Sequence, residues 1–241
     1  MSRLLLIICF LLPGMPAHAV PRVTQMVSRF EARYRSARTL QATFLERYLE
    51  SGRLVRTEAG TAYFRRPGKM RWEYESPQKD LFLVDGKTAW FYVPADHTVT
   101  RVPAKQSTDL RTPLALLAGE MRVSRVCASV EAAVGEKPER EDHVVLRCIL
   151  RGAKHQSGGQ GANGLGLEDD ARHDAVLFEI STDTGELARL LIQQSAGVQI
   201  EFKFENWRMD PPLADSLFRF EPPLGVAIVN GELAAGDTNV K

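Results

Sequence analysis

Residues that could do acid–base or nucleophilic chemistry are scattered along this sequence and form no catalytic pattern. The five histidines lie in the N-terminal leader or in polar segments, at positions 18, 97, 143, 155 and 173. Neither the nucleophile-elbow pattern G-x-S-x-G nor the zinc-protease pattern H-E-x-x-H occurs. Since an enzyme should carry a nucleophile–base or acid–base set, the sequence favours a protein that is not an enzyme. An active site assembled from distant residues is the alternative.

The N-terminus carries the three parts of a secretory signal. Arg3 gives a positive start, residues 4–12 form an apolar run, and the Ala-His-Ala sequence at residues 17–19 provides a cleavage site of small residues. The apolar run is too short to span a bilayer. Cys9 lies inside this run without a small residue just upstream, which disfavours a lipidation site. We therefore expect residues 1–19 to be removed and the mature chain to be exported and released.

The charge balance argues against partners that are strongly anionic. The chain has 31 Lys and Arg residues against 30 Asp and Glu residues, and the loss of Arg3 with the leader brings the formal charge to zero. Proteins that bind phosphate backbones or anionic lipid surfaces usually carry a basic excess. The sequence therefore predicts that nucleic acid is not a partner.

Metal and cofactor chemistry finds little support in the cysteine and histidine positions. The mature chain has two cysteines, Cys127 and Cys148, with no C-x-x-C or zinc-ligand spacing. In an exported protein an even pair favours one disulfide, with two buried free thiols as the alternative. His155 and His173 stand near acidic residues, but the Gly-rich segment 152–174 is typical of a mobile loop with solvated side chains. We expect no metal and no cofactor.

The periodicity of apolar residues predicts one helix followed by many short strands. Apolar residues recur at helical spacing over residues 23–34, and the period then changes to two. About ten strands follow, separated by turn signals; a short apolar helix is predicted at 113–120, and strands resume at 122–126. We expect residues 20–241 to form one mainly β domain of the α+β type. Its curved antiparallel sheet would form an incomplete barrel.

Residues 60–93 include the strand with the clearest apolar face. Between residues 69 and 75, charged residues alternate with Met70, Trp72 and Tyr74. A period of two places each set on one face of a strand. A sheet of this kind can fill its own interior or enclose an apolar ligand. The pattern alone leaves both possibilities open.

Residues 64–100 resemble the signature segment of the outer-membrane lipoprotein carrier protein (LolA) family. The shared features are the Arg-Pro turn at residues 66–67, Trp72, and the hairpin sequence DGKTAWFY at residues 85–92. Near the C-terminus, LFRFEPPLGV at residues 217–226 resembles the closing strand of the family. The resemblance covers most of the mature chain and is weaker in its middle.

The resemblance implies an incomplete β-barrel with a helical lid over an apolar cavity. Family members take acylated lipoproteins from an inner-membrane ABC transporter and carry them across the periplasm to an outer-membrane acceptor. A carrier is needed because each acyl CH₂ group left in water costs about 0.8 kcal/mol. The implied protein is a periplasmic chaperone, active as a monomer, with lipoproteins, the transporter and the acceptor as partners. A lipoprotein sensor or outer-membrane acceptor of the same fold, and an exported hydrolase, are the alternatives.

The resemblance also assigns candidate site residues. Arg66 matches the family arginine that hydrogen-bonds the lid and holds the cavity closed; an exposed arginine at a turn is the alternative. At Met70 the best-known members carry a phenylalanine at the cavity mouth. We expect nine residues to form the acyl cavity and its latch: Phe44, Phe64, Arg66, Met70, Trp72, Tyr74, Trp90, Ile200 and Phe202.

Overall fold

The computed structural model describes residues 22–106, 114–119, 121–151, 175–194 and 197–231. The predicted signal peptide at residues 1–19 and the predicted mobile loop at residues 152–174 lie outside these ranges. Within them the chain is mainly β-strand with few helices, which confirms the expected fold class.

In the part of the chain that the structure describes, twelve strands form one sheet, two more than the number expected. Along the sheet their order is β12-β6-β5-β4-β3-β2-β1-β11-β10-β9-β8-β7, so the curled sheet is not closed and β12 and β7 are its edges. Neighbouring strands are antiparallel except for β12 and β6, which are parallel. The strands are β1 (Thr39–Glu50), β2 (Arg53–Arg65), β3 (Lys69–Ser76), β4 (Leu81–Val84), β5 (Thr88–Val93), β6 (Thr98–Pro103), β7 (Cys127–Ala132), β8 (His143–Leu150), β9 (Ala175–Ser181), β10 (Leu187–Gln193), β11 (Val198–Met209) and β12 (Ala227–Asn230).

Among the described residues, three α-helices pack against one face of this sheet. They are α1 (Val23–Arg35), α2 (Ala115–Ala118) and α3 (Val123–Val126), and we call them the lid helices. Apolar side chains of all three belong to the same buried cluster as the inward side chains of the strands. The cluster is the core of the protein, since it joins both halves of the sheet to the helices.

Helix α1 agrees with its predicted amphipathic pattern. Met26, Phe30 and Tyr34 are buried on its inner side. The hydroxyl oxygen of Tyr34 accepts a hydrogen bond of 2.9 Å from the Leu187 backbone N–H. Burial raises the pKa of Tyr34 far above its ordinary value, so this phenol stays neutral and can hold the start of β10.

Cys127 and Cys148 form a disulfide with a Cα–Cα distance of 5.4 Å. Cys127 is the first residue of β7, and Cys148 lies in the neighbouring strand β8. The bond therefore fixes an edge strand to the rest of the sheet. Of the two alternatives that the sequence left open, the disulfide is the one formed.

Two predicted strand segments are wrong. Residues 122–126, expected to be a strand, form α3 because the Glu31 carboxylate accepts a 2.7 Å hydrogen bond from the Val123 N–H and so satisfies the helix start. The expected closing strand at residues 217–226 instead begins in a 3₁₀-helix, Asp215–Phe218. Pro222 and Pro223 have no N–H to donate to a neighbouring strand, so pairing starts only at β12.

Gly60 allows β2 and β3 to approach each other closely where their register shifts. A Cβ atom at this position would lie 1.9 Å from the backbone oxygen of Glu73. We therefore expect Gly60→Ala to lower the free energy of unfolding by about 1–3 kcal/mol or more, measured by urea denaturation. Gly231→Ala is the control, because no atom lies within 4 Å of the added Cβ there. Equal stability of the two variants would contradict this account.

Candidate functional site

The concave face of the sheet is lined by aromatic rings grouped around Trp72. Its indole lies 4.8 Å from the ring of Phe44, 5.8 Å from Phe64, 5.3 Å from Phe202 and 6.1 Å from Phe204, measured between ring centroids. All four of these pairs are tilted or edge-to-face, the arrangements that aromatic rings prefer. Together the five rings form a continuous apolar wall.

Small residues in the neighbouring strands make room for this wall. Trp72 in β3 is paired with Ala62 in β2, and Ala62 is paired in turn with Ala42 in β1. Two alanines beside a tryptophan leave space above the sheet that the large side chain can occupy. The local sequence therefore sets the position of the indole through strand register.

Seven of the nine expected site residues lie together on the concave face, in the same buried cluster. All are less than a tenth exposed, and the most exposed is Met70 at 6%. These seven are Phe44, Phe64, Met70, Trp72, Tyr74, Ile200 and Phe202. The structure thus brings the predicted wall together, and its contact with a ligand stays a prediction.

Trp90 is the expected wall residue that lies elsewhere. It is paired with Leu83, which is paired with Arg71, so Trp90 lies on the face of the sheet opposite to Trp72. Phe91 is the β5 residue in line with Trp72. The expectation that Trp90 lines the cavity is wrong, because successive residues of a strand point to opposite faces.

On the convex face Trp90 has its own set of partners. The indole Nε1 donates a 3.2 Å hydrogen bond to Asp85 Oδ2. The ring lies 5.6 Å from that of Phe220, and the Arg101 guanidinium carbon is 5.9 Å from its centroid. Trp90 therefore stabilises the β4–β5 hairpin and its surroundings.

Arg66, the last expected site residue, connects the β2–β3 turn to the lid helices. Its Nη1 donates to the carbonyl oxygens of Arg35 at 2.6 Å and Ala37 at 2.8 Å, where α1 ends. Its Nε donates to the carbonyl oxygen of Leu117 in α2 at 3.3 Å. One side chain therefore holds two helices against the turn, the arrangement expected of a latch.

Two backbone hydrogen bonds reinforce this connection. The Arg66 N–H donates to the Arg38 carbonyl at 3.0 Å, and the Gly68 N–H donates to the Ala118 carbonyl at 2.8 Å. Gly68 has a φ of +68°, a left-handed conformation that glycine adopts without a steric penalty. The turn thus offers both main-chain and side-chain donors to the ends of α1 and α2.

The Arg66 guanidinium is held by neutral groups and is incompletely paired. Burial lowers its pKa below the ordinary value, and the charge of Asp210 opposes this effect. Its Nη2 is buried and has no hydrogen-bond partner among the described residues. A buried donor without an acceptor costs free energy, so the hydrogen bonding of this side chain is incomplete.

The concave face also has a polar end that the sequence analysis did not identify. Glu46 is only 3% exposed, and the hydroxyl of Tyr74 donates to its Oε2 at 2.5 Å. Glu46 is paired across the strands with Glu58, which forms an ion pair of 2.9 Å with Arg56. The alternation in β1 could have predicted this position, since Glu46 follows Phe44 by two residues and so shares its face.

Metal binding and membrane spanning find no support in the described ranges. Within them no group of three or more His, Cys, Asp or Glu side chains is arranged to hold a metal ion. Nor does any helix there have the length and apolar character needed to cross a bilayer.

The hydrogen bonds of Arg66 predict a measurable effect on the lid helices. We expect Arg66→Gln to speed hydrogen exchange at the Gly68 amide and in α2 by about fivefold or more, since each hydrogen bond contributes about 1 kcal/mol. Arg65→Gln is the control, because Arg65 bonds Asp215 and the Leu213 carbonyl instead. Unchanged exchange in Arg66→Gln would show that this side chain does not restrain α2.

Known proteins with similar sequences match most of this chain. The family profile described as outer membrane lipoprotein carrier protein LolA matches residues 35–140. An outer-membrane lipoprotein carrier protein of Methylococcus capsulatus is 31% identical over 204 residues, which cover 83% of this chain and 86% of that protein. Another, of Nitrosomonas europaea, is 29% identical over 236 residues, covering 95% and 99%.

Among solved structures, an uncharacterized conserved protein from Thermus thermophilus has a similar fold. Its TM-score is 0.50 at 14% sequence identity, over 86% of this chain and 98% of that one. At this identity the similarity concerns the fold alone.

Proposed function

The chain belongs to the LolA family of outer-membrane lipoprotein carrier proteins, and from this we propose that it binds lipoprotein acyl chains against its concave face. In this proposal it is a periplasmic chaperone that receives its cargo from an inner-membrane transporter and delivers it to an outer-membrane acceptor. The observation that carries the proposal is the apolar wall around Trp72, covered by helices that Arg66 ties to the sheet. Its role is binding, with no catalytic step.

Acyl chains would replace contacts that the wall now makes with itself and with the lid helices. The rings around Trp72 lie in contact with one another, and Leu117 and Met121 from the lid region belong to the same buried cluster. When the helices move away, an acyl chain can cover the apolar surface that they leave. The net change in exposed apolar area is then small, which lets binding and release proceed without a cofactor.

Arg66 would set the equilibrium between the empty carrier, in which the lid helices cover the aromatic wall, and the carrier with bound acyl chains. Its acceptors are neutral carbonyl oxygens, and hydrogen bonds to neutral acceptors are weaker than those to carboxylates. A latch of this strength favours the closed empty carrier without preventing opening. Closure of the latch after delivery would then help to expel the acyl chains.

The proposed function is tested by capture of a lipoprotein in solution. Delipidated mature protein mixed with a triacylated lipopeptide should give a 1:1 complex in native mass spectrometry. Met70→Glu places a charge on the wall and should weaken capture about tenfold or more, because a buried unpaired carboxylate is costly. Val134→Glu is the control and should capture normally, because the side chain of Val134 is 92% exposed. Absence of any complex with the unmodified protein would refute the carrier function.

The latch role is tested by release of the cargo. We expect Arg66→Leu to fold and to load with lipopeptide but to transfer it to phospholipid vesicles about fivefold more slowly, because the closed empty state loses hydrogen bonds of about 1 kcal/mol each. Stopped-flow fluorescence of a labelled lipopeptide measures the rate. Arg65→Leu serves as the matched control. Transfer at the normal rate by Arg66→Leu would remove the latch role and leave the carrier function intact.

A further inference from the structure

The side chain of Trp72 holds a hydrogen-bond donor that nothing in the described part of the chain accepts. The residue is 0% exposed, and its indole Nε1 is buried without a partner. The other two tryptophans are satisfied: Trp90 Nε1 donates to Asp85 Oδ2 at 3.2 Å, and Trp207 Nε1 donates to the Leu187 carbonyl oxygen at 2.8 Å. The unpaired indole N–H is therefore the one at the centre of the apolar wall.

The surroundings of this donor are aromatic. Ring centroids of four phenylalanines lie between 4.8 and 6.1 Å from that of the indole. The face of an aromatic ring is a weak acceptor at most. A buried water molecule would need about two to four polar partners to be held there, and a group of hydrocarbon rings does not supply them. A strong acceptor for this N–H must therefore arrive with a ligand.

A tryptophan at the central position is costly unless such an acceptor arrives. A buried N–H group gives up its hydrogen bonds to water and gains none in return. Phenylalanine would supply an aromatic ring without this cost, and the other four rings of the wall are phenylalanines. The difference between Trp72 and its neighbours is thus a single polar group, directed at the surface on which acyl chains are proposed to lie.

We propose that the indole N–H of Trp72 donates a hydrogen bond to the carbonyl oxygen of a bound acyl group, so that the centre of the wall is a carbonyl-binding subsite. This inference rests on the acyl binding proposed above. Acyl chains are joined to their carrier molecule through ester or amide groups, whose carbonyl oxygens are neutral acceptors. A carbonyl that enters the cavity leaves its own water behind, so the donor and the acceptor satisfy each other.

The subsite would give the wall selectivity that apolar contact cannot provide. The hydrophobic effect is non-directional, so a plain hydrocarbon chain can slide along the rings at little cost. A hydrogen bond requires a short distance and a favourable angle, and each acyl chain has one carbonyl, at its polar end. Pairing with Trp72 would therefore fix how far a chain enters and would distinguish acyl chains from alkyl chains.

The subsite is tested with lipopeptides that differ only in the linkage of their chains. One carries two palmitoyl chains in ester linkage, and the second carries two hexadecyl chains in ether linkage, which lack the carbonyl groups. The unmodified protein should bind the ester about fivefold to tenfold more tightly, the effect of one neutral hydrogen bond. Competition in native mass spectrometry measures this ratio. A third lipopeptide, with ether chains and one N-acyl group, shows whether an amide carbonyl serves as well.

Trp72→Phe removes the donor and retains an aromatic ring. This variant should bind the ether lipopeptide about as well as the unmodified protein does, and it should lose the preference for carbonyl-bearing lipopeptides. Trp90→Phe is the matched control, because it removes an indole N–H on the opposite face of the sheet. The control should keep the full preference. A Trp72→Phe protein that folds and keeps the preference would exclude Trp72 as the donor.

The indole resonance of Trp72 reports the contact without a substitution in the wall. Its ¹H–¹⁵N signal is assigned by elimination, since Trp90→Phe and Trp207→Phe each remove one of the other two indole signals. Binding of a carbonyl-bearing lipopeptide should move the Trp72 indole proton downfield relative to the ether complex, because a hydrogen-bonded proton is deshielded. The same chemical shift in all complexes would refute the hydrogen bond.

Failure of the subsite and failure of the carrier function give different results. Equal affinity of the unmodified protein for all three lipopeptides would refute the subsite and leave the carrier function intact. Absence of binding to any of them would refute the carrier function, and the subsite with it.

Discussion

Burial of one face of a single unclosed sheet is the constraint on which the structure depends. The twelve strands curl without closing, so the concave face needs helices to cover it. Of the lid helices, α1 has 13 residues, while α2 and α3 have four residues each. Helices this short have few internal hydrogen bonds and depend on contacts with the sheet for their position. The Arg66 hydrogen bonds matter because they supply such contacts at the point where α1 and α2 end.

The aromatic wall and Arg66 impose opposite requirements on the same region. The rings around Trp72 favour close packing with the lid helices, since every contact removes apolar surface from water. Arg66 stands at the edge of this apolar region with a charge that burial disfavours. Among the described residues its hydrogen bonds go to carbonyl oxygens, and they offset part of this cost. The packing of the lid helices on the sheet is thus stabilised by apolar contacts and limited by a guanidinium whose hydrogen bonding is incomplete.

The sequence predicted the side-chain directions in strands that have one apolar and one polar face. Strand β3 alternates strictly, so the inward direction of Met70, Trp72 and Tyr74 followed from period alone. The run TAWFYV in β5 is largely apolar on both faces, and period alone therefore could not place Trp90. Its direction depends on pairing across the Asp85-Gly86 hairpin, which aligns Phe91 with the wall. The strand pairing therefore distinguishes Phe91, which faces the wall, from Trp90, which does not.

Other features depended on contacts between distant parts of the chain. Residues 123–126 are helical because Glu31, 92 residues earlier, accepts from the Val123 N–H. The hydrogen bonds of Arg66 join a turn to carbonyl groups at the ends of α1 and α2, and backbone carbonyls carry no sequence signal. The prediction that Arg66 contacts the lid came from the resemblance to a known family. The sequence pattern alone showed only an arginine before a proline.

The disulfide gives the lid a fixed end. Helix α3 ends at Val126, and the next residue, Cys127, is bonded covalently to Cys148 inside the sheet. The C-terminal end of α3 is therefore anchored, whereas α2 is held at the turn by hydrogen bonds that can break and re-form. In the opening proposed above, this part of the lid would therefore rotate about the end of α3 that the disulfide fixes, once the hydrogen bonds at the turn are broken.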